Sequence, residues 1–206
     1  EEQKGVPSGQ GNTVFRSLWE IAEDYSVVDM ADYNDKYWNL DNYFTPYGVN
    51  PYFSLNENGS QQNKNKLLGK VQVDWNILKS LRATYRFGGD YENSLSQTWI
   101  GKIDIPTTAN SYNANKLDPG SYSNSQRIRF EINHEAFLNF SKTFGNFDLD
   151  VMAGLNVNER SYRGLNGFLS SLDVPGFYTL SNGTVDAVAS QQGQNFQMFL
   201  RSSGKL

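Results

Sequence analysis

A two-residue period in side-chain character, held over two successive segments, constrains this chain more than anything else in it. From Leu67 to Ile77, the residues Leu67, Gly69, Val71, Val73, Trp75 and Ile77 alternate with Lys70, Gln72, Asp74 and Asn76. From Leu81 to Tyr91, the residues Leu81, Ala83, Tyr85, Phe87, Gly89 and Tyr91 alternate with Arg82, Thr84, Arg86 and Asp90. Extended backbone sends successive side chains to opposite faces, so each segment reads as a strand with one apolar and one polar face. The joint at Leu78-Lys79-Ser80 is short, which makes the pair an antiparallel hairpin.

The pattern returns further on. Ile128, Phe130, Ile132, His134, Ala136, Leu138 and Phe140 share one face, and Arg127, Arg129, Glu131, Asn133, Glu135 and Asn139 the other, with Phe137 the one apolar exception. Thr143-Phe144-Gly145-Asn146 reads as a tight turn. Beyond it Phe147, Leu149, Val151, Ala153, Leu155 and Val157 alternate with Asp148, Asp150, Met152, Gly154, Asn156 and Asn158.

The layout is short turn, long loop, short turn, long loop. That asymmetry belongs to an antiparallel up-and-down transmembrane β-barrel, with apolar residues facing lipid and polar residues facing a lumen. The alternating runs are also long, roughly 11–14 residues, against ~5–6 in ordinary sheets. They meet the ~9–11 residues needed to cross a bilayer at a tilt. The sequence therefore predicts an all-β fold with about four long membrane strands in two hairpins. Val71, Val73, Trp75, Tyr85, Phe87, Phe130, Ile132 and Val151 are expected to face lipid. Trp75, Phe140, Phe144 and Phe147 cluster at the short-turn end, where an interfacial aromatic girdle belongs. Four strands cannot close a barrel, so the chain reads as a segment of a larger one, giving the bacterial outer membrane as its location.

The remaining segments attach to these hairpins. Residues 1–64 read as an external loop region: polar and Gly/Pro-rich to residue 11, then a short helix capped by Asn12 or Thr13 and running to about Asp24. Asp29 is expected to cap a further helical turn. Next comes an aromatic stretch in which Pro46 and Pro51 argue against regular helix. Residues 65–93 form the first barrel hairpin, 94–124 a loop with a short strand from Trp99 to Ile105, and 125–159 the second hairpin. Residues 160–206 form a loop and the possible start of another strand.

Composition narrows the functions. The net charge of −4 lacks the basic footprint of a nucleic-acid binder. Without cysteine there is neither a disulfide framework nor a thiolate metal site. The opening Glu1-Glu2-Gln3-Lys4-Gly5 is not a signal peptide, which suggests a piece of a longer protein. No enzyme constellation emerges and no cofactor is expected. His134 is the one histidine, and it lies on an apolar row. Glu131 and Glu135 are about 13 Å apart along a strand, beyond the reach of a glycosidase pair. Asp29, Asp32 and Asp35 do not follow a calcium-loop pattern. Aromatic rings stack on sugars, so Trp38, Tyr43, Phe44, Tyr47 and Tyr52, with Trp99 and Tyr178, form the candidate substrate surface; the competing reading is that they pack the loops.

Four short motifs then occur in order: Asn50-Pro51-Tyr52 followed by Leu55-Asn56-Glu57-Asn58; Leu68-Gly69-Lys70-Val71; Arg86-Phe87-Gly88-Gly89-Asp90-Tyr91; and Val174-Pro175-Gly176-Phe177-Tyr178-Thr179-Leu180-Ser181-Asn182. Together they resemble the SusC/RagA family of TonB-dependent outer-membrane transporters. The resemblance implies a barrel of about 22 strands with an N-terminal plug. It further implies oligosaccharide or peptide import driven by the TonB complex, and a SusD-like surface lipoprotein closing over the loops. No plug or TonB box is recognised in this sequence, so an internal barrel fragment is expected. The alternative is a secreted soluble all-β carbohydrate-binding module, which requires a second sheet over Val71, Val73, Tyr85 and Phe87.

Overall fold

A computed structural model describes residues 2–5, 14–43, 48–105 and 117–197. Its centre is one antiparallel sheet in which β1 (Glu2–Gly5), β2 (Gly59–Leu78), β3 (Leu81–Ile100), β4 (Ser121–Phe144), β5 (Phe147–Leu169) and β6 (Val188–Gln197) lie side by side in chain order. The fold is all-β and up-and-down, as the alternation requires, and the sheet is open rather than closed. Four strands of 20–24 residues form the two expected hairpins, and a shorter fifth of 10 residues follows them. The fifth, β6, has a polar sequence with no apolar row to announce it. Residues 2–5, expected as loop, pair with β2 through Gly5↔Ser60 to Glu2↔Asn63.

The strands outrun the apolar rows. β3 continues to Ile100 and β5 to Leu169, and β4 begins at Ser121, in stretches the sequence reads as loop. Two compact units result. One comprises Lys64–Ser94 and Arg127–Gly164 with the chain from Gln191; the other holds the helices and turns before Asn63, with Leu95–Gln126 and Leu165–Ser190.

In the first unit the two sheet faces differ sharply. On the polar face β2 and β3 are joined by Lys64–Glu92 (3.1 Å), Lys66–Asp90 (3.0 Å), Arg86–Gln72 (3.0 Å) and Thr84–Asp74 (2.7 Å). Arg86 also reaches Glu135 on β4 (3.5 Å). From β5, Asn156 donates to Glu135 (3.2 Å), and Asn158 and Arg160 donate to Glu131 (both 3.0 Å). On the apolar face, Val71, Val73, Tyr85 and Phe87 are 60, 56, 44 and 38 % exposed. Trp75, Phe130 and Val151 are exposed as well, and Ile132 is half-buried. Among the described residues there is one extended sheet and no second layer over these rows.

Two glycines set local geometry. Gly145 makes the β4–β5 turn with φ 62°, a left-handed conformation that a Cβ would strain. Gly154 leaves room for the ring of Phe137, which a Cβ there would strike. This accounts for the one apolar residue in the polar row of β4: Phe137 lies over a bare patch of β5 backbone beneath the Arg86 guanidinium, 5.4 Å from the ring centroid.

In the second unit α1 spans Val14–Trp19, ending well before Asp24, and Phe15, Leu18 and Trp19 are exposed. Its expected caps, Asn12 and Thr13, lie outside the described residues. A 3₁₀ turn covers Val28–Met30 with Asp29 inside it and no side-chain cap. The aromatic stretch contains a helix after all, α2 (Pro51–Glu57). Pro51 occupies the first helical position, where a missing N–H costs nothing and the fixed φ is already helical. Two small cores form: Val49, Phe53, Ile103 and Ile105 with Tyr33 and Leu40; and Tyr122, Leu169 and Leu172 with Trp99, Tyr178 and Leu180.

Candidate functional site

The helix-bearing unit gathers its polar chemistry around α2. Asn50 is fully buried and serves three partners. Its Oδ1 accepts from the Tyr52 N–H (2.9 Å), capping the helix, while its Nδ2 donates to the carbonyls of Met30 (2.9 Å) and Trp38 (3.0 Å). A side chain with one acceptor and two donor hydrogens is needed to cap the helix and hold the preceding loop together. At the other end of α2, Asn58 Oδ1 accepts from the Gly101 N–H (2.8 Å).

Glu57, the last residue of α2, is held by two phenols. The Tyr33 hydroxyl donates to its Oε1 (3.0 Å); the Tyr178 hydroxyl lies 3.2 Å from Oε2 and 2.8 Å from the Glu57 carbonyl. Burial pushes the Tyr178 phenol well above its ordinary range, and the nearby Glu57 charge pushes it further. Burial and the Glu57 hydrogen bond raise Tyr33 likewise. Both phenols thus stay neutral donors across the physiological range.

Tyr178 is delivered by a loop that Asn182 staples. Asn182 Oδ1 accepts from the Val174 N–H (2.9 Å), and its Nδ2 donates to the carbonyls of Val174 (2.8 Å) and Phe177 (2.5 Å). Gly176, with φ 74°, supplies the left-handed residue at the tip. Beside this loop a groove of about 410 Å³ is lined by Tyr33, Asn34, Asn39, Phe53, Glu57, Lys102, Asp104 and Pro175, among others. It combines an aromatic wall with carboxylates, amides and an ammonium, which suits a ligand rich in hydroxyl or amide groups.

Of the proposed aromatic surface, Trp99 and Tyr178 come together, with ring centroids 5.7 Å apart. Both pack on the Tyr122–Leu169–Leu172 core. Gly59 is what lets the indole lie against β2, since a Cβ there would fall inside the ring. Trp38 instead meets Tyr25 edge-on at 5.8 Å. Tyr43 is buried, and that burial, with the charge of Glu20, pushes its phenol up to about 12. Tyr52 is half-buried on α2. Phe44 and Tyr47 lie outside the described residues. Glu57 and Tyr33 carry no local mark of their role, because they are 24 residues apart and Tyr178 lies a further 121 residues beyond Glu57.

Among the described residues, nothing lining the groove forms a nucleophile–base pair. His134 is on the sheet, bonded to the Tyr85 hydroxyl (2.8 Å) and tilted against the Phe87 ring (centroids 5.2 Å apart). Asp32 and Asp35 accept from the N–H groups of Asn34 and Tyr37, two residues on, as turn carboxylates do. Among the described residues no three His, Asp or Glu side chains gather closely enough for a metal. No protein-family model matches this chain, and no curated protein matches it significantly.

Proposed function

We propose that this chain is part of the wall and external loops of a TonB-dependent outer-membrane transporter of the SusC/RagA type. It imports oligosaccharides or peptides with a SusD-like lipoprotein seated on the loops. One observation carries the reading: strands of 20–24 residues present rows of large apolar side chains outward and uncovered, while the opposite face is laced by ion pairs and amides. Such rows in water form an apolar patch far beyond what a soluble domain leaves open. Facing lipid, they lie in their preferred solvent, and the polar face lines an aqueous lumen. A soluble carbohydrate-binding module needs a second sheet over the same rows, and the exposure of Val71, Val73, Tyr85 and Phe87 weighs against it.

On this reading the chain contributes passage and contact rather than bond chemistry. The groove beside Tyr33, Glu57 and Lys102, with the Trp99–Tyr178 pair behind it, contacts nutrient or lipoprotein. The TonB complex acts through parts of the transporter outside this chain. The test is fractionation of the source cells: the protein is expected in the detergent phase and with the outer membrane. Recovery in the aqueous phase without detergent would sink the proposal.

A further inference from the structure

Resting on that membrane reading, we propose that the outward face of the sheet holds one glycerophospholipid at a defined site, with an acyl chain in a groove floored by Ala83, Ala136 and Ala153 and its phosphate at Lys142. Those three alanines lie on the neighbouring strands β3, β4 and β5 and sink the floor of a groove of about 490 Å³. Trp75 and Tyr85 stand beside it as walls. Around it stand Val73, Trp75, Tyr85, Leu138 and Leu155, so a flexible chain finds more contact in the groove than on top of those rows.

The charge is placed to match. By alternation Lys142 continues the outward row of β4 beyond Leu138 and Phe140, and its ammonium lies 5.0 Å from the Phe144 ring centroid. The neighbouring carboxylates Asp148 and Asp150 belong by alternation to the opposite face, where they line a cleft with Asn76 and Arg82. A lysine at the rim of an apolar row snorkels to the headgroup layer. The spacing fits one leaflet. Six residues separate Ala136 from Lys142, about 20 Å along a strand and about 14 Å of depth at a ~45° tilt. Half of the ~30 Å hydrocarbon core is about 15 Å. A chain anchored by its phosphate at Lys142 therefore runs along the alanine floor, past Trp75 near the interface to Ala136 near the midplane. A diacyl lipid without phosphate has the same tail and no anchor.

The experiment uses the intact protein in phosphatidylcholine vesicles, titrated with phosphatidylglycerol carrying brominated acyl chains. The signal is Trp75 fluorescence, taken as the difference between wild type and Trp75→Phe. Saturable quenching is expected, with brominated diacylglycerol giving only a linear rise. Lys142→Gln is expected to weaken the apparent affinity about fivefold, one headgroup contact's worth. Ala153→Leu, checked for folding by circular dichroism, fills the groove and is expected to remove the saturable component. Linear quenching by both lipids, unchanged in Lys142→Gln, overturns the site and leaves the membrane reading standing. Absence of quenching by either lipid overturns both.

Discussion

Glu57 has both carboxylate oxygens engaged by phenols that approach from opposite ends of the chain, Tyr33 and Tyr178. Removing one hydroxyl leaves a half-buried carboxylate and a carbonyl short of a donor, so Tyr178→Phe is expected to destabilise the helix-bearing unit by about 1–3 kcal/mol. Hydrogen exchange of α2 and the 174–182 loop measures it. The same contacts fix a pH dependence. Tyr178 and Tyr43 bind their protons more tightly folded than unfolded, where the value is 10.0. Their contribution is therefore complete below pH ~10 and drains away as pH rises toward and beyond 12, because the unfolded chain then holds fewer protons. Alkaline titration followed by tyrosinate absorbance and hydrogen exchange is expected to show loosening of this unit above pH ~10, with a shallower slope in Tyr178→Phe. Asn50→Ala removes a helix cap and strands two buried carbonyls, at a cost of about 2–4 kcal/mol, the cap and the carbonyls together. Little of this was legible in the chain. Asn50, Glu57 and Asn182 stood inside motifs noted for their resemblance, yet the reason for each residue type lies in partners that no local pattern reveals.

Among the elements, the alternating rows of β2 to β5 are legible because a period of two is a local signal that survives without tertiary knowledge. The signal fails where its cause stops. Beyond Tyr91, before Arg127 and beyond Asn158 the alternation lapses: polar residues stand on both faces, and Trp99, Tyr122 and Leu169 turn to a small core of the helix-bearing unit. β6 lacks the alternation throughout. α2 is hidden for a different reason: Pro51 reads as a breaker in the sequence, although at the first helical position it favours the helix. The Phe137–Gly154 pair gives a direct test of cross-strand fit. Gly154→Val puts a branched side chain where the ring lies, and is expected to cost about 1–3 kcal/mol from overpacking. Phe137→Ala in the same background is expected to recover part of that loss, measured by urea unfolding from bilayers.

At the level of the molecule, each face asks for a different solvent, and adjacent residues of one strand distinguish them. Val73 lies in the exposed apolar row of β2 and Gln72 in the laced polar one. Val73→Arg is expected to cost about 2–4 kcal/mol of folding free energy in a bilayer. Gln72→Lys, one position away, is expected to stay within about 1 kcal/mol: it gives up the bond from Arg86, which an ammonium cannot accept, and keeps the one to Asp74. Folding titrations into vesicles decide this, and equal penalties would remove the two-solvent account of the sheet.

The pairing of β1 with β2 ends at Asn63, so from Lys64 to Leu78 the first long strand has a described neighbour on one side only. A strand edge of that kind presents alternate amides and carbonyls that any extended backbone can meet, whatever its sequence. Left uncovered, that flank is expected to drive association edge to edge, and a handling protocol that blocks it should keep the protein dispersed.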